Sequence, residues 1–272
     1  MVLKLLNEGE GVNMIFETHA HYEDEKFDPD RVELLSSMEK NRIGRIINVG
    51  SSMSTSIKSV ELAHQYDFIY AAVGLHPDAV MEYGEENVNQ LRELCKDPKV
   101  VAIGEIGPDY HYEKDEEVKK LQIKAFQGQL ELAKEVNLPV IVHSREAAKD
   151  TMDILSVAAK QGIRGVVHCY SYSKEQALQY ADMGYYIGVG GVLTFKNGKK
   201  LRETVLNLPL DRILLETDCP YMSPEPFRGQ RNDSTRIPYV VQTIAEMKGL
   251  STEEVEDVTW KNAMSLFGRV QR

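Results

Sequence analysis

The chain has 272 residues, 42% of them hydrophobic and 27% charged, with a formal net charge of −10. A chain this long buries roughly three quarters of the surface its unfolded form exposes, so it needs no disulfide or metal staple to hold a core. The acidic balance excludes a general grip on duplex DNA or an anionic membrane, which needs the opposite sign, but leaves room for a local cleft that handles phosphates.

The start, MVLKLLNEGEGVN, has a two-leucine core followed by acids and makes a poor signal peptide. A strand-like pattern begins only at Met14. Residues 1–13 are read as a translated leader ahead of a natural initiator at Met14, or as a disordered extension on the surface. The Gly-Glu-Gly at 9–11 suits a purine-rich ribosome-binding sequence, and the intact mass of the native protein separates the two. Residues 14–272 are expected to form one domain. No apolar run approaches the roughly 18 residues of a membrane span. Cys95, Cys169 and Cys219 form no CxxC pair, which fits a reducing, cytoplasmic setting.

Short apolar runs at 15–18, 43–49, 68–75, 100–104, 139–143, 165–168, 185–189 and 212–217 predict strands. Several are continuous rather than alternating, as in RIINV, PVIVH and RILLET, which suits strands buried on both faces. Helical patterns fill the gaps at about 29–40, 53–65, 84–96, 115–136, 145–160, 173–182, 197–206 and 234–248. A ninth, near 252–267, opens on Ser251-Thr252-Glu253-Glu254, a capping box, and is expected on the outside of the sheet. Eight strands each followed by a helix is the arithmetic of a (β/α)8 TIM barrel with one extra C-terminal helix. The rival, an open doubly wound sheet, usually has a Gly-rich turn after its first strand. Here that strand runs into His19-Ala20-His21 instead. The stretch 219–238 holds four of the ten prolines together with Arg228, Arg231 and Arg236, and reads as a stiff basic loop on the catalytic face.

Metal-binding residue types recur where the predicted strands end: His19 and His21, Glu105, His143, His168 and Asp218. In a barrel these ends converge on one mouth. His19 and His21 are two apart, so both imidazoles point the same way and can chelate one ion. A carboxylate after a buried run, as at Glu105 and Asp218, is costly unless paired or ligated. The bland alternatives are a buried ion pair for Glu105, a turn residue for Asp218 and satisfied core histidines for His143 and His168. Cys169 and Cys219 should point away by alternation and serve packing. Four histidines and two acids are too many donors for one tetrahedral ion with an open position. They suit two divalent ions, with Zn, Mn, Fe, Ni or Mg as candidates.

From Met14 to Phe267 the sequence resembles the TatD family of metal-dependent hydrolases, the TatD-like deoxyribonucleases. The resemblance rests on THAH at 18–21, VGLHP at 73–77, GEIGPDY at 104–110, HSRE at 143–146, HCYS at 168–171, ETDCPY at 216–221, RGQRN at 228–232 and NAMSLF at 262–267. It implies a TIM barrel. It implies one metal on His19 and His21, another on His143 and His168, Glu105 as the bridge and Asp218 as a further ligand and the base. It also implies cleavage of DNA phosphodiesters, often from the 3′ end of single strands. Five positions depart from the usual pattern: Glu17 where Asp is usual, Asp78 where His is frequent, Pro108 in GPDY for GLDY, and Tyr170 and Tyr172 in HCYSY for HCFSG. None removes an expected ligand.

The sequence therefore predicts a metal-dependent hydrolase in which Glu105 and Asp218 are catalytic. Arg145, Arg228 and Arg231 are candidates for holding phosphate, Lys196 is a weaker one, and His76 is a candidate donor to the leaving group. Single-stranded DNA ends or oligonucleotides are the expected partner, without a membrane or an obligate protein partner. Ester or amide hydrolysis on the same site, such as deacylation of an aminoacyl-RNA, is the alternative. A non-catalytic scaffold is the third reading.

Overall fold

The computed structural model describes residues 13–271. The alternatives for residues 1–13 fall outside this span except at Asn13, whose side-chain amide donates to the Glu253 carbonyl at 2.9 Å. Eight parallel strands follow one another around the sheet in chain order. They are β1 (Ile15–Ala20), β2 (Ile43–Val49), β3 (Ile69–Val73), β4 (Val100–Ile106), β5 (Val140–Val142), β6 (Gly165–Val167), β7 (Tyr186–Val189) and β8 (Ile213–Leu215). The last returns to the first. The Asp218 N–H donates to the His19 carbonyl, and the His21 N–H to that of Cys219, both at 2.9 Å. The fold is the expected TIM barrel.

Outside the strands lie α1 (Arg31–Ser36), α2 (Met53–Gln65), α3 (Glu85–Leu94), α4 (Glu116–Val136), α5 (Ala148–Lys160), α6 (Lys174–Asp182), α7 (Lys199–Asn207), α8 (Ile237–Lys248) and α9 (Thr252–Leu266). Side chains of Ser52, Asp115, Ser173 and Ser251 accept from first-turn N–H groups, which sets the starts of α2, α4, α6 and α9. The expected capping box of Ser251 and Glu254 is present.

Several boundaries moved for physical reasons. The helix expected over 29–40 stops at Ser36, and the chain then makes a 3-10 turn ending at Arg42, whose φ is 63°. The one expected from 145 starts at Ala148, because Arg145 is bridged to Asp109 and Glu146 has φ 54°. Strands β1 and β4 run further than expected, so His19 and Glu105 lie inside strands rather than after them. The last strand stops at Leu215, two residues short.

The ninth helix also differs. Phe16, Ile47, Tyr70, Val101, Ile141, Val166, Tyr186 and Leu214, one from each strand, share a buried cluster with Ala263, Leu266, Phe267 and Val270. A cluster drawing on all eight strands is the barrel's interior, so α9 and its tail plug one end instead of lying only outside. Arg269 donates to the carbonyls of Cys95 at 2.8 Å and Val100 at 3.1 Å, and the Gln271 N–H donates to Tyr70 Oη. These partners lie at or just before strand starts, so the plugged end is the N-terminal one. The opposite mouth is left for chemistry.

Candidate metal centre

At that mouth the structure brings together all six residues expected to bind metal. Glu105 stands in the middle. Its Oε2 lies 3.5 Å from His19 Nε2 and 3.9 Å from His21 Nε2. Its Oε1 lies 2.5 Å from His168 Nε2, 2.8 Å from His143 Nδ1 and 3.8 Å from His76 Nε2. Asp218 Oδ1 closes the first side, 3.5 Å from His21 Nε2 and 3.7 Å from His19 Nε2.

Backbone geometry aims the last donors. Asp218 and Cys169 have φ of 58° and 44°, so the chain turns sharply just beyond β8 and β6. A non-glycine residue there costs on the order of 1–3 kcal/mol and persists only where its surroundings fix it. The Cys169 N–H donates to Glu216 Oε1 at 2.6 Å, and the Asp218 N–H is held by the His19 carbonyl. This turn also corrects the expectation for Cys169. The strand has ended, alternation no longer applies, and the residue lines the cavity. Burial and the carboxylates of Asp218 and Glu216 raise its thiol well above the usual range. Cys219 is buried, as expected.

Electrostatics decides the protonation states. Burial would raise the Glu105 carboxyl, but the imidazoles of His168, His76 and His143 outweigh it and hold it well below the usual range. Burial and the neighbouring His168 push His19 down to about 4, so it is neutral. Burial alone would lower His143, yet hydrogen bonds to Asp109 and Glu105 carry it up to about 9. Burial would raise Asp218 too, but its bond to His21 and the nearby imidazoles keep it lowered and ionised. His21 Nδ1 lies 2.7 Å from the Val49 carbonyl, an acceptor only, so it carries hydrogen. Burial would lower this imidazole, but Asp218 and Glu23 hold it well above its usual range, so Nε2 is free for an ion only once its proton is displaced. Nε2 lies 3.1 Å from His19 Nε2.

These residues fit divalent cations. Three trios, His19–His21–Asp218, His19–Glu105–His168 and His76–Glu105–His143, each offer ligand atoms within 4.8 Å of one another. The donors are nitrogen and oxygen without thiolate, as Zn, Mn and Ni prefer. The Nδ1 atoms of His19 and His168 are buried without partners among the described residues, so the Nε2 atoms are the ones committed to the cluster.

A cavity of about 770 Å³ opens above the cluster and is lined by His76 and Arg145 among others. The other two expected phosphate-holding arginines do not line it. Arg231 forms a two-pronged pair with Asp30, at 2.7 and 2.6 Å, and donates to the Lys26 carbonyl. Arg228 lies over the Phe195 ring, 4.2 Å from its centroid. The basic loop is spent on its own anchoring. Lys196 does not line the cavity either. His64 pairs with Asp97 at 2.7 Å, and His111 pairs with Glu146 at 2.6 Å. A Cβ on Gly188 would meet Glu216 Oε2 at 2.2 Å, and one on Gly191 the Met222 carbonyl at 2.0 Å. These glycines therefore serve close packing.

Sequence reasoning missed Asp109 and Glu23. Asp109 Oδ2 lies 3.0 Å from His143 Nε2 and leaves Nδ1 to face Glu105, the carboxylate–histidine arrangement that orients a ligand. The signal was present in GEIGPDY, but Gly107 and Pro108 break the strand and hide which way Asp109 points. Glu23 accepts from the Asn48 amide at 2.7 Å and approaches His21 Nδ1 at 3.7 Å.

Glu17 ties both ligand-bearing segments together. Its Oε1 accepts from the His19 N–H at 3.1 Å and the Thr217 N–H at 2.9 Å, and its Oε2 from the hydroxyls of Thr217 and Ser234. Burial pushes it up to about 8, against those four donors. A neutral carboxyl and a glutamine amide then fill the same role, because both hydroxyls can turn to accept. Glu17→Gln should change stability at pH 7 by less than about 1 kcal/mol, whereas Glu17→Ala should lose about 3 kcal/mol or more by orphaning buried donors. Urea unfolding checks this, and equal losses in the two variants would refute it.

The family model described as TatD related DNase matches residues 16–268. The chain belongs to the TatD family. The metal-dependent hydrolase YabD of Bacillus subtilis, uncharacterized by its name, is 42% identical over 254 residues, covering 93% of this chain and 99% of the relative. The protein named 3′-5′ ssDNA/RNA exonuclease TatD, from a Rahnella species, is 30% identical over 93% of this chain and 98% of its own length. The crystal structure of YjjV, a TatD homologue from Escherichia coli, superposes with a TM-score of 0.87 at 32% identity, covering 93% of this chain and 98% of that one. The chain is thus a metal-dependent hydrolase of the TatD family. No helix among the described residues is long and apolar enough to cross a membrane.

Proposed function

We propose that the chain hydrolyses phosphodiester bonds at the ends of single-stranded DNA or of oligonucleotides, using two divalent ions drawn from Zn, Mn, Mg and Ni. The observation that carries this reading is Glu105, whose two oxygens face different histidine pairs, Oε2 toward His19 and His21 and Oε1 toward His143 and His168. A carboxylate so divided suits a bridge between two ions. The printed activity of the Rahnella relative supports a single-stranded nucleic acid as substrate.

His19, His21 and Asp218 would hold one ion, His143 and His168 the other. Ions held there supply Lewis acidity, polarising the phosphoryl group and lowering the pKa of water. Asp218, ionised and at the cavity floor, takes the proton from the attacking water on a carboxylate oxygen. His76 Nδ1 accepts from the Asp78 N–H at 3.1 Å, so Nε2 carries the hydrogen. Burial keeps this imidazole lowered and neutral, a donor to a phosphate or leaving-group oxygen. The Arg145 guanidinium makes no hydrogen bond among the described residues and lines the cavity, where it can hold a non-reacting oxygen, whereas Arg228 and Arg231 do not line it.

The test is hydrolysis of end-labelled single-stranded oligonucleotide by chelated protein with each metal restored, and Asp218→Asn prepared identically as the control. Metal-dependent laddering that disappears in the variant is the expected result. Arg145→Ala should raise KM roughly tenfold or more, the loss of a charge-assisted bond, with kcat less affected. Bound metal with no cleavage of any strand would overturn the nuclease reading in favour of ester or amide substrates.

A further inference from the structure

The cavity wall poses a problem for a nucleic-acid substrate. Glu23, Asp24, Glu25 and Asp78 all line it, against only Lys58 and Arg145. With a net charge of −10 as well, the cavity wall offers little cationic surface among the described residues to hold a strand by its backbone. Affinity for a strand must come from elsewhere.

Two side chains on that wall answer this. Tyr112 is 78% exposed and Tyr221 48%, and both line the cavity. Neither contributes much to the core. Each has one cation at its ring. Arg145 lies 5.1 Å from the Tyr112 centroid and Lys26 lies 4.2 Å from that of Tyr221. Their places in the barrel give the pattern meaning. Tyr112 follows β4 and Arg145 follows β5, whereas Tyr221 follows β8 and Lys26 follows β1. In an eight-stranded barrel with strands in chain order, β4 and β5 lie diametrically across from β8 and β1. The two tyrosine–cation pairs therefore face each other across the mouth, with Glu105 and its histidines between them.

We propose that Tyr112 and Tyr221 are stacking platforms for the nucleobases on either side of the scissile phosphate. Together they form a two-sided clamp that grips unstacked bases rather than backbone charge. This rests on the nuclease reading above and deepens it. Base–aromatic stacking tolerates any sequence and adds roughly fivefold to hundredfold in affinity per base. Bases inside a duplex are already stacked on one another and have no face to offer. The clamp thus selects single strands on an acidic protein, and the paired cations lie where the flanking phosphates would run.

The experiment compares wild type, Tyr112→Ala, Tyr112→Phe, Tyr221→Ala and Tyr221→Phe, all metal-loaded. The substrates are a short labelled oligothymidylate and the same strand with abasic residues flanking the cleaved bond. Each alanine variant should raise KM roughly tenfold or more on the normal strand with kcat little changed, and phenylalanine should restore it. On the abasic strand, wild type should already show the raised KM, and the alanine variants should add nothing further. Equal losses on both strands, or no loss in either alanine variant, overturn the clamp. If wild type cleaves neither strand with any metal, the nuclease reading is overturned instead. The clamp is then judged from anisotropy of the same uncleaved strands: tighter binding of the strand with bases, lost in the alanine variants, supports it, and equal binding of both strands overturns it.

Discussion

With two ions bound as proposed, Glu105→Gln should leave one or none and lower hydrolysis by roughly 10³-fold or more, the equivalent of several kcal/mol of lost electrostatic stabilisation. The size follows from the position of this carboxylate. It is 5% exposed and within 4 Å of five imidazoles. An amide keeps the shape but presents an acceptor to one histidine group and a donor to the other, so one ion loses its oxygen. The charge that balances two dications is lost as well. Asp218→Asn removes one proposed ligand on one side only and leaves the proposed Glu105 bridge intact. Metal analysis by mass spectrometry and a rate on any cleaved substrate measure both effects. A glutamine variant that retains two ions and a rate within tenfold of wild type would refute the bridge.

The chelated protein should lose stability as pH rises from about 6.5 to 9, and the metal-loaded protein should lose less. The His143 imidazole is held up to about 9 by Asp109 and Glu105 against the effect of burial, and His168 is raised by Glu105. A folded pKa above the unfolded value means that stabilisation is fully present below about 6.5 and is lost as pH passes through 9. For His143 alone this is on the order of 3 kcal/mol. Glu105 gives the acid side of the same attraction. Its pKa is depressed, so its contribution is present above the ordinary carboxylate value and lost as pH falls. His19 and His76 are lowered and act with the opposite sign at and below about 6.5. In the upper window His21, which burial would lower but Asp218 and Glu23 raise well above its ordinary value, and Glu17, pushed up to about 8 by burial, act in the same direction as His143 and His168. A bound ion replaces those protons, so metal uptake at pH 7.5 should release protons and tighten with pH. Urea midpoints at pH 6, 7.5 and 9, with and without chelator, read the first effect. Calorimetry in buffers of different ionisation enthalpy reads the second. A chelated protein equally stable at pH 6 and 9, or metal binding without proton release, would show that these imidazoles are neutral before the ion arrives.

The sequence by itself determined the barrel and the six residues that gather at its mouth. Continuous apolar runs such as RIINV and RILLET mark strands buried on both faces, and eight of them alternating with helices leave few architectures. Polar donors at the ends of such runs stand out because burying them is costly without a partner. His19, His21, Glu105, His143, His168 and Asp218 were legible for that reason alone.

Only the tertiary structure decided which neighbours those donors have. Periodicity describes regular segments, and it ends where the chain turns at Gly107–Pro108, Cys169 and Asp218. Past those points the direction of Asp109 and Cys169 depends on backbone torsions that no pattern encodes. The arginines illustrate the same limit. Arg145, Arg228 and Arg231 look alike as charges in loops, yet Asp30 captures Arg231 from 201 positions away and Phe195 sits under Arg228, while Arg145 reaches the cavity. The plug formed by α9 and the placing of Tyr112 opposite Tyr221 depend likewise on closure of the barrel. Closure brings residue 18 against residue 215 and is set by packing of the whole sheet rather than by any local stretch of chain.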